Sequence, residues 1–219
     1  MDIFILNRNN FLIKDKTLDF LNQFNSLKRR REYFLSRFLL NFVSKNFYNI
    51  KSAETEVINK KPQFRFSDLQ FSISHSHDYI AICFDNNPIG FDIEKIKPRN
   101  YMDILEHFKV NKEFTQDQFY QFWTLYESKI KLQQNEILSK SSVKIFENYI
   151  MSIVSNQSLS ISKTLKIYEL KSPKLNVKPI ELTTLNPVND NIKNENTVVI
   201  QEINTASFEY LEPLNLNIE

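Results

Sequence analysis

Residues 89–94, IGFDIE, hold the chain's only glycine, and their pattern decides how the chain is read. Strict alternation makes them a strand: Ile89, Phe91 and Ile93 point one way, Gly90, Asp92 and Glu94 the other. The two carboxylates therefore share a face, roughly 6–7 Å apart along the strand. Gly90 on that face leaves the backbone open to close approach. Two β-rich runs stand just upstream, FSISHS (71–76) and DYIAICF (78–84), and DNNP (85–88) is a turn signal. In FSISHS the period places Ser72, Ser74 and Ser76 on one face and Phe71, Ile73 and His75 on the other. An Asp and a Glu on one strand face have two readings. They can be solvated residues of an edge strand. With a third carboxylate from a helix, they can instead be oxygen ligands for a hard divalent cation.

Outward from this hairpin, DIFILN (2–7) reads as a strand and 16–26 as weakly helical. Residues 29–47 form the strongest helix of the first half, with Phe34, Phe38 and Val43 near one face and Leu39 and Phe42 widening it. Residues 48–69, with Pro62 near the middle, read as connection. A helical stretch follows at about 102–109, and a better one at about 115–134. In the latter, Trp123, Glu127 and Lys131 fall at i, i+4 and i+8 and form one stripe. The remainder, 135–219, is rich in Asn and Ser, with strand-like pieces at 165–170, 197–203 and 207–211. No exact repeat is visible, but helix followed by strands, twice over, allows two related halves.

Composition narrows the classes. The chain has 219 residues, 42% hydrophobic, with 19 Phe and 9 Tyr, enough for a substantial core. Its 28 basic and 26 acidic residues give a net charge of +2, too balanced for a bulk nucleic-acid binder. The KRRR run at 28–31 is by itself a solvated patch. A lone cysteine, Cys83, permits no intrachain disulfide and no cysteine-based metal site, which fits a reducing compartment. The opening MDIFILNRNNFLIKDK lacks the features of a signal peptide, and no run approaches the ~18 apolar residues of a membrane span. A cytoplasmic protein is expected. With one glycine, turns must use Asn, Asp and Pro, and Gly90 is expected where no side chain fits.

Three motifs in order resemble the 4′-phosphopantetheinyl transferase superfamily, in particular the monomeric type that activates peptide and polyketide synthases. They are Lys61-Pro62 followed by FSISHS, then IGFDIE, then FWTLYESKIKL. The resemblance covers about residues 25–135, with a looser echo in SFEYLEPL near the end. It implies an α+β fold of two pseudo-symmetric halves, about 1–105 and 106–219, each a small antiparallel sheet with a long helix. It implies transfer of the phosphopantetheine arm of coenzyme A to a serine of an apo acyl or peptidyl carrier protein. The metal would be Mg²⁺ or Mn²⁺, held by Asp92, Glu94 and Glu127. Glu127 and Lys131 would be catalytic. Lys28, Arg37, Lys61, Ser74 and His75 would bind coenzyme A, with the register of Lys28 open across 28–31. A monomer with no nucleic-acid or membrane partner is expected, serving fatty-acid, polyketide or nonribosomal-peptide synthesis. Three positions depart from the pattern: Tyr126 for the usual Lys before Glu127, His77 for a Gly after Ser-His-Ser, and Lys60 for a Gly before Lys-Pro. Two rival readings remain. One is an impaired relative that binds coenzyme A or a carrier without efficient turnover. The other is a nucleic-acid module built on Lys28–Arg31, which leaves the three carboxylates unexplained.

Overall fold

The computed structural model describes residues 1–11, 13, 15–110, 113–158, 165–171, 199–203, 208–212 and 214. Strands β1 (Asp2–Asn7), β4 (Gln70–Ser76), β5 (Tyr79–Asp85), β9 (Lys166–Lys171) and β10 (Val199–Ile203) form a five-stranded sheet in the order β10-β9-β1-β5-β4. Strands β6 (Ile89–Lys95), β7 (Ser139–Ile145), β8 (Tyr149–Ser155) and β11 (Glu209–Tyr210) form a second sheet, ordered β11-β7-β8-β6. A separate hairpin joins β2 (Thr55–Ile58) to β3 (Lys61–Phe64). The helices are α1 (Leu27–Asn46), α2 (Met102–His107) and α3 (Gln116–Leu132), with two short 3₁₀ helices at Arg8–Asn10 and Asp15–Leu21. The fold is α+β. The first sheet is mixed, because β1 runs parallel to β9 while pairing antiparallel with β5. Each sheet draws on both ends of the chain: β6 joins the second sheet, β9 and β10 the first.

The alternation read in the sequence becomes layering. Phe4, Leu6, Ile80, Ile82 and Phe84 face Phe34, Leu35, Leu39 and Val43 of α1. The opposite faces of β1 and β5, with Ile3, Ile5, Ala81 and Cys83, pack on Phe91, Ile93, Met151 and Ile153 of the second sheet. Beyond that sheet lie α2 and α3, through Leu105, Phe119, Phe122 and Ile150. Helix, sheet, sheet and helix are thus stacked, and each buried large apolar side chain contributes roughly 1.5–3 kcal/mol. No helix among the described residues is long and apolar enough to cross a membrane.

Helix ends are set locally. Ser26 caps α1 by accepting from the Arg29 amide at 3.2 Å. Thr115 and Gln118 make a reciprocal capping box on α3. Without glycine, α3 stops at Gln133 in the left-handed region, φ 58°.

Gly90 explains the placement of α3. A Cβ built there would lie 1.8 Å from the Ser128 carbonyl oxygen and 2.7 Å from the Leu132 amide nitrogen. What approaches the Gly90 backbone is therefore helix α3. The other expected glycine positions tell the opposite story. Asn59 (φ 50°) and Lys60 (φ 68°) form the two-residue turn between β2 and β3, and His77 (φ 47°) sits in the β4–β5 turn. These are left-handed positions filled by side-chain-bearing residues, in keeping with a chain so poor in glycine.

The observed elements extend the sequence reading in places. The β2–β3 hairpin lies in what reads as connection, because its strands are short and Pro62 interrupts one of them. Strands β7 and β8 lie in the stretch that reads only as Asn- and Ser-rich. Residues 197, 198 and 207 of the expected strands lie outside the described residues.

Two substitutions test this account. Gly90→Ala should destabilise the protein by about 3 kcal/mol or more, since backbone rather than a flexible side chain must move. Lys60→Gly should stabilise it by roughly 0.5 kcal/mol, relief of left-handed strain outweighing the extra freedom of the unfolded chain. Urea titration of both variants reads the two signs.

Candidate active site

The site grows where the edge strands β4 and β6 of the two sheets meet. They share no backbone ladder. Three serine side chains take its place. The Ser72 hydroxyl accepts from the Phe91 amide (3.1 Å), Ser74 from Ile93 (3.3 Å) and Ser76 from Lys95 (3.0 Å). The spare proton of Ser72 goes to the Phe91 carbonyl (3.4 Å). Those of Ser74 and Ser76 go to carboxylates: Asp92 Oδ1 at 2.6 Å and Glu94 Oε2 at 2.6 Å. The serine face predicted from FSISHS is thus the joint between the sheets.

Asp92 is the buried centre, 4% exposed although it stands on an edge strand. Its Oδ1 also accepts from Lys131 Nζ at 2.6 Å. Its Oδ2 is buried with no hydrogen-bond partner. A buried carboxylate oxygen without a donor is costly unless something else meets it. Glu94 and Glu127 flank this centre. Burial raises the pKa of Glu94 above the ordinary glutamate range, and the charge of Asp92 adds to the rise while Ser76 opposes it. Burial likewise raises Glu127, again with Asp92 adding and Lys131 opposing. Asp92 thus disfavours the charge of both flanking acids, and carboxylate oxygens are the donor type a hard cation takes. As they stand, no three His, Cys, Asp or Glu side chains among the described residues are gathered closely enough to hold one, and Lys131 neutralises Asp92 instead.

Beside the carboxylates opens a recess of about 780 Å³, lined among others by Lys28, Arg29, Glu32, His75, Glu94 and Lys97. Two of the expected coenzyme A contacts, Lys28 and His75, line it. Burial lowers the pKa of His75, and Lys131 and Arg8 act in the same direction. Three other expected contacts do not line it. Ser74 is turned to Asp92. Arg37 donates to Thr55 Oγ1 at 2.8 Å and lies over the Tyr33 ring. Lys61 is buried and donates to the Ile89 carbonyl at 2.9 Å, its pKa lowered by burial. The sequence reading passed over Glu32, which carries negative charge into the recess while bound to Arg8 at 2.8 Å. It also passed over Lys97 on the wall, where His77, noted in the sequence only as a departure after Ser-His-Ser, stands as well. Nothing in a helix face or turn marks such residues until the chain is folded. Tyr126 packs its ring on Phe108 (4.6 Å) and Trp123 (6.0 Å).

No family model matches the chain. Curated proteins do. The 4′-phosphopantetheinyl transferase Sfp of Bacillus subtilis (strain 168) is 33% identical over 99 residues, covering 39% of this chain and 44% of that one. The 4′-phosphopantetheinyl transferase ffp of Bacillus subtilis is 35% identical over 91 residues, 36% of this chain and 40% of that one. The 4′-phosphopantetheinyl transferase gsp of Aneurinibacillus migulanus is 34% identical over 74 residues, 29% of this chain and 31% of that one. The match spans less than half the length of each of these relatives. The chain is similar, over that part, to enzymes of the 4′-phosphopantetheinyl transferase superfamily, and within it to the Sfp-like type.

The electrostatics give two expected outcomes. Because the folded pKa of Glu127 lies above its unfolded value, the folded state holds the extra proton between the two, and stability falls as pH rises through that window. In chelator at neutral pH, Glu127→Gln should therefore raise the melting temperature by up to about 4 °C, and the gain should vanish in acid. Lys131→Met should have the opposite effect. Uncovering buried Asp92 should destabilise the protein by about 1–3 kcal/mol at neutral pH, and a second change, Asp92→Asn, should restore most of the loss in thermal melts.

Proposed function

We propose that the protein transfers the 4′-phosphopantetheine group of coenzyme A to a serine hydroxyl of an apo acyl or peptidyl carrier protein, releasing 3′,5′-ADP. The observation that carries this reading is buried Asp92, with one oxygen unpartnered and Glu94 and Glu127 near its charge, beside a recess lined in part by Lys28, Arg29 and Lys97. Asp92, Glu94 and Glu127 would hold Mg²⁺, or Mn²⁺ in its place. Bound there, such an ion supplies neutralisation of the diphosphate charge that builds on the leaving group. Everything else falls to the chain's own residues.

Lys28 and His75 bind coenzyme A phosphates in the recess, which must meet about four negative charges near neutral pH. Arg37, Lys61 and Ser74 join them only by leaving the partners described above. The carrier serine oxygen attacks the phosphorus that bears the pantetheine arm. The bond from that phosphorus to the nucleotide oxygen breaks, and the serine proton passes to Glu127. A carboxyl whose pKa lies above the ordinary range is a better proton acceptor than a surface glutamate. Lys131, on the same helix face one turn on, exchanges Asp92 for the transferred phosphate and steadies its charge. The halves 1–105 and 106–219 are taken as the units that enclose the ligand, in a cytoplasmic monomer consistent with one buried, free cysteine.

A reading of reduced activity rests on Tyr126, whose place among aromatic rings offers no cation to phosphate or carrier. One experiment decides between the two. Purified protein is mixed with Mg²⁺, coenzyme A and apo carrier proteins of several types, and the carriers are weighed by mass spectrometry. The proposal expects a carrier to gain one phosphopantetheine, only with metal, with the rate falling about 100-fold or more in Glu127→Gln. Coenzyme A binding without any gain across the carriers would leave only the binding role.

A further inference from the structure

Lys28 and Arg8 compete for one carboxylate oxygen. Arg8 Nη1 stands 2.8 Å from Oε1 of Glu32, and Lys28 Nζ stands 3.9 Å from the same atom. We infer that Arg8 is a positioning residue: by satisfying Glu32 from behind the recess wall, it keeps Lys28 available to the phosphates of the nucleotide. The inference rests on the phosphate contacts given under Proposed function and deepens them.

Three observations carry it. First, Glu32 is the wrong charge for an anion site. It lines the recess with Lys28 and His75 and is 9% exposed, so an unmatched carboxylate there would cost stability and repel a phosphate. Second, its two cations come from different sides. Arg8 does not line the recess. It opens the 3₁₀ helix Arg8–Asn10, where its amide donates to the Asp78 carbonyl at 2.8 Å, and its side chain is 23% exposed. Lys28 does line the recess, one turn before Glu32 on α1, and its side chain is 70% exposed. The shorter and more sheltered bond is the stronger, so Arg8 holds Glu32 and Lys28 is held only loosely. Without Arg8, Lys28 has only to close the gap from 3.9 Å to a normal bond to take Glu32 and leave the ligand. Third, both charges reach His75, the other expected phosphate contact on the wall. Burial lowers its pKa, and beneath that cause Glu32 raises it while Arg8 lowers it. His75 therefore meets opposed charges rather than a bare carboxylate.

The test is titration calorimetry of 3′,5′-ADP on the full chain at neutral pH, in chelator and without carrier, with melting temperatures taken alongside. Arg8→Met should weaken binding about tenfold, and Lys28→Met about as much. Since both act through one lysine, the two changes together should be hardly worse than either alone, well short of the roughly hundredfold loss of independent sites. Glu32→Gln added to Arg8→Met should restore binding to within about threefold of the wild type, and Arg8→Lys, which keeps the charge, should retain it. A merely structural Arg8 would lower the melting temperature of Arg8→Met and leave binding intact, or give a loss that Glu32→Gln does not mend. Either result overturns the inference while the phosphate contacts stand, and so does full additivity of Arg8→Met and Lys28→Met. Weaker binding by Glu32→Gln alone overturns it too, since Glu32 would then hold the ligand itself. Should Arg8→Met fail to fold, its combination with Glu32→Gln, which buries no unmatched charge, decides the matter, and weak binding there overturns the inference. If the wild type binds no 3′,5′-ADP, or Lys28→Met binds it as well as the wild type, the phosphate contacts of the proposed function fall and take this inference with them.

Discussion

The close approach of helix α3 to strand β6 governs this structure. Any side chain at position 90 would push the helix away, for the Ser128 carbonyl occupies the space a Cβ at Gly90 would need. Small and hydroxylated residues complete the contact. Thr124 meets the Ser152 hydroxyl at 2.7 Å, Ser152 meets Ser142 at 2.8 Å, and Ser128 donates to the Ser152 carbonyl at 2.9 Å. With the helix seated this low, Lys131 reaches Asp92 directly, and Glu127 comes within reach of the charge of Asp92. One absent side chain thus brings a helix and a strand, separate in sequence, to a single centre.

That centre works against the fold around it. Burial and the charge of Asp92 raise Glu94 and Glu127, and Asp92 Oδ2 is buried without a donor. A packed apolar cluster would be more stable in the same volume. The excess strain is confined by Lys131 and by the serine joint, which together supply most of the local compensation.

The sequence disclosed much of this because strand period is so regular. The faces of IGFDIE and FSISHS follow from counting by two, and both appear as read, down to Gly90 lying where no side chain fits. The stripe of Glu127 and Lys131 likewise follows from helical spacing. What stayed hidden depends on contacts between distant segments. Buried on every residue, YIMSIVS (149–155) shows no alternation, and its two serines disguise a central strand as loop. The β2–β3 turn uses Asn59 and Lys60 where a glycine would have announced it. Nor does spacing reveal that the Ser74 proton goes to an acid, or that the Lys61 ammonium is turned to a carbonyl beneath the surface.

The parallel pairing of β1 with β9 bears on how the molecule is made. Asp2 stands opposite Lys166, so β1 gains its second neighbour only after the whole stretch between them has been made. At about 5–20 residues per second that is a wait of roughly ten seconds or more. Until then one edge of β1 carries unpaired amides, although β6, β7 and β8, whose layer covers Ile3 and Ile5, are already made. Pairing with β5 covers the other edge much sooner, Asp2 standing opposite Phe84. Any ribosomal stall before residue 166 would leave β1 with one sticky edge, a natural substrate for chaperones.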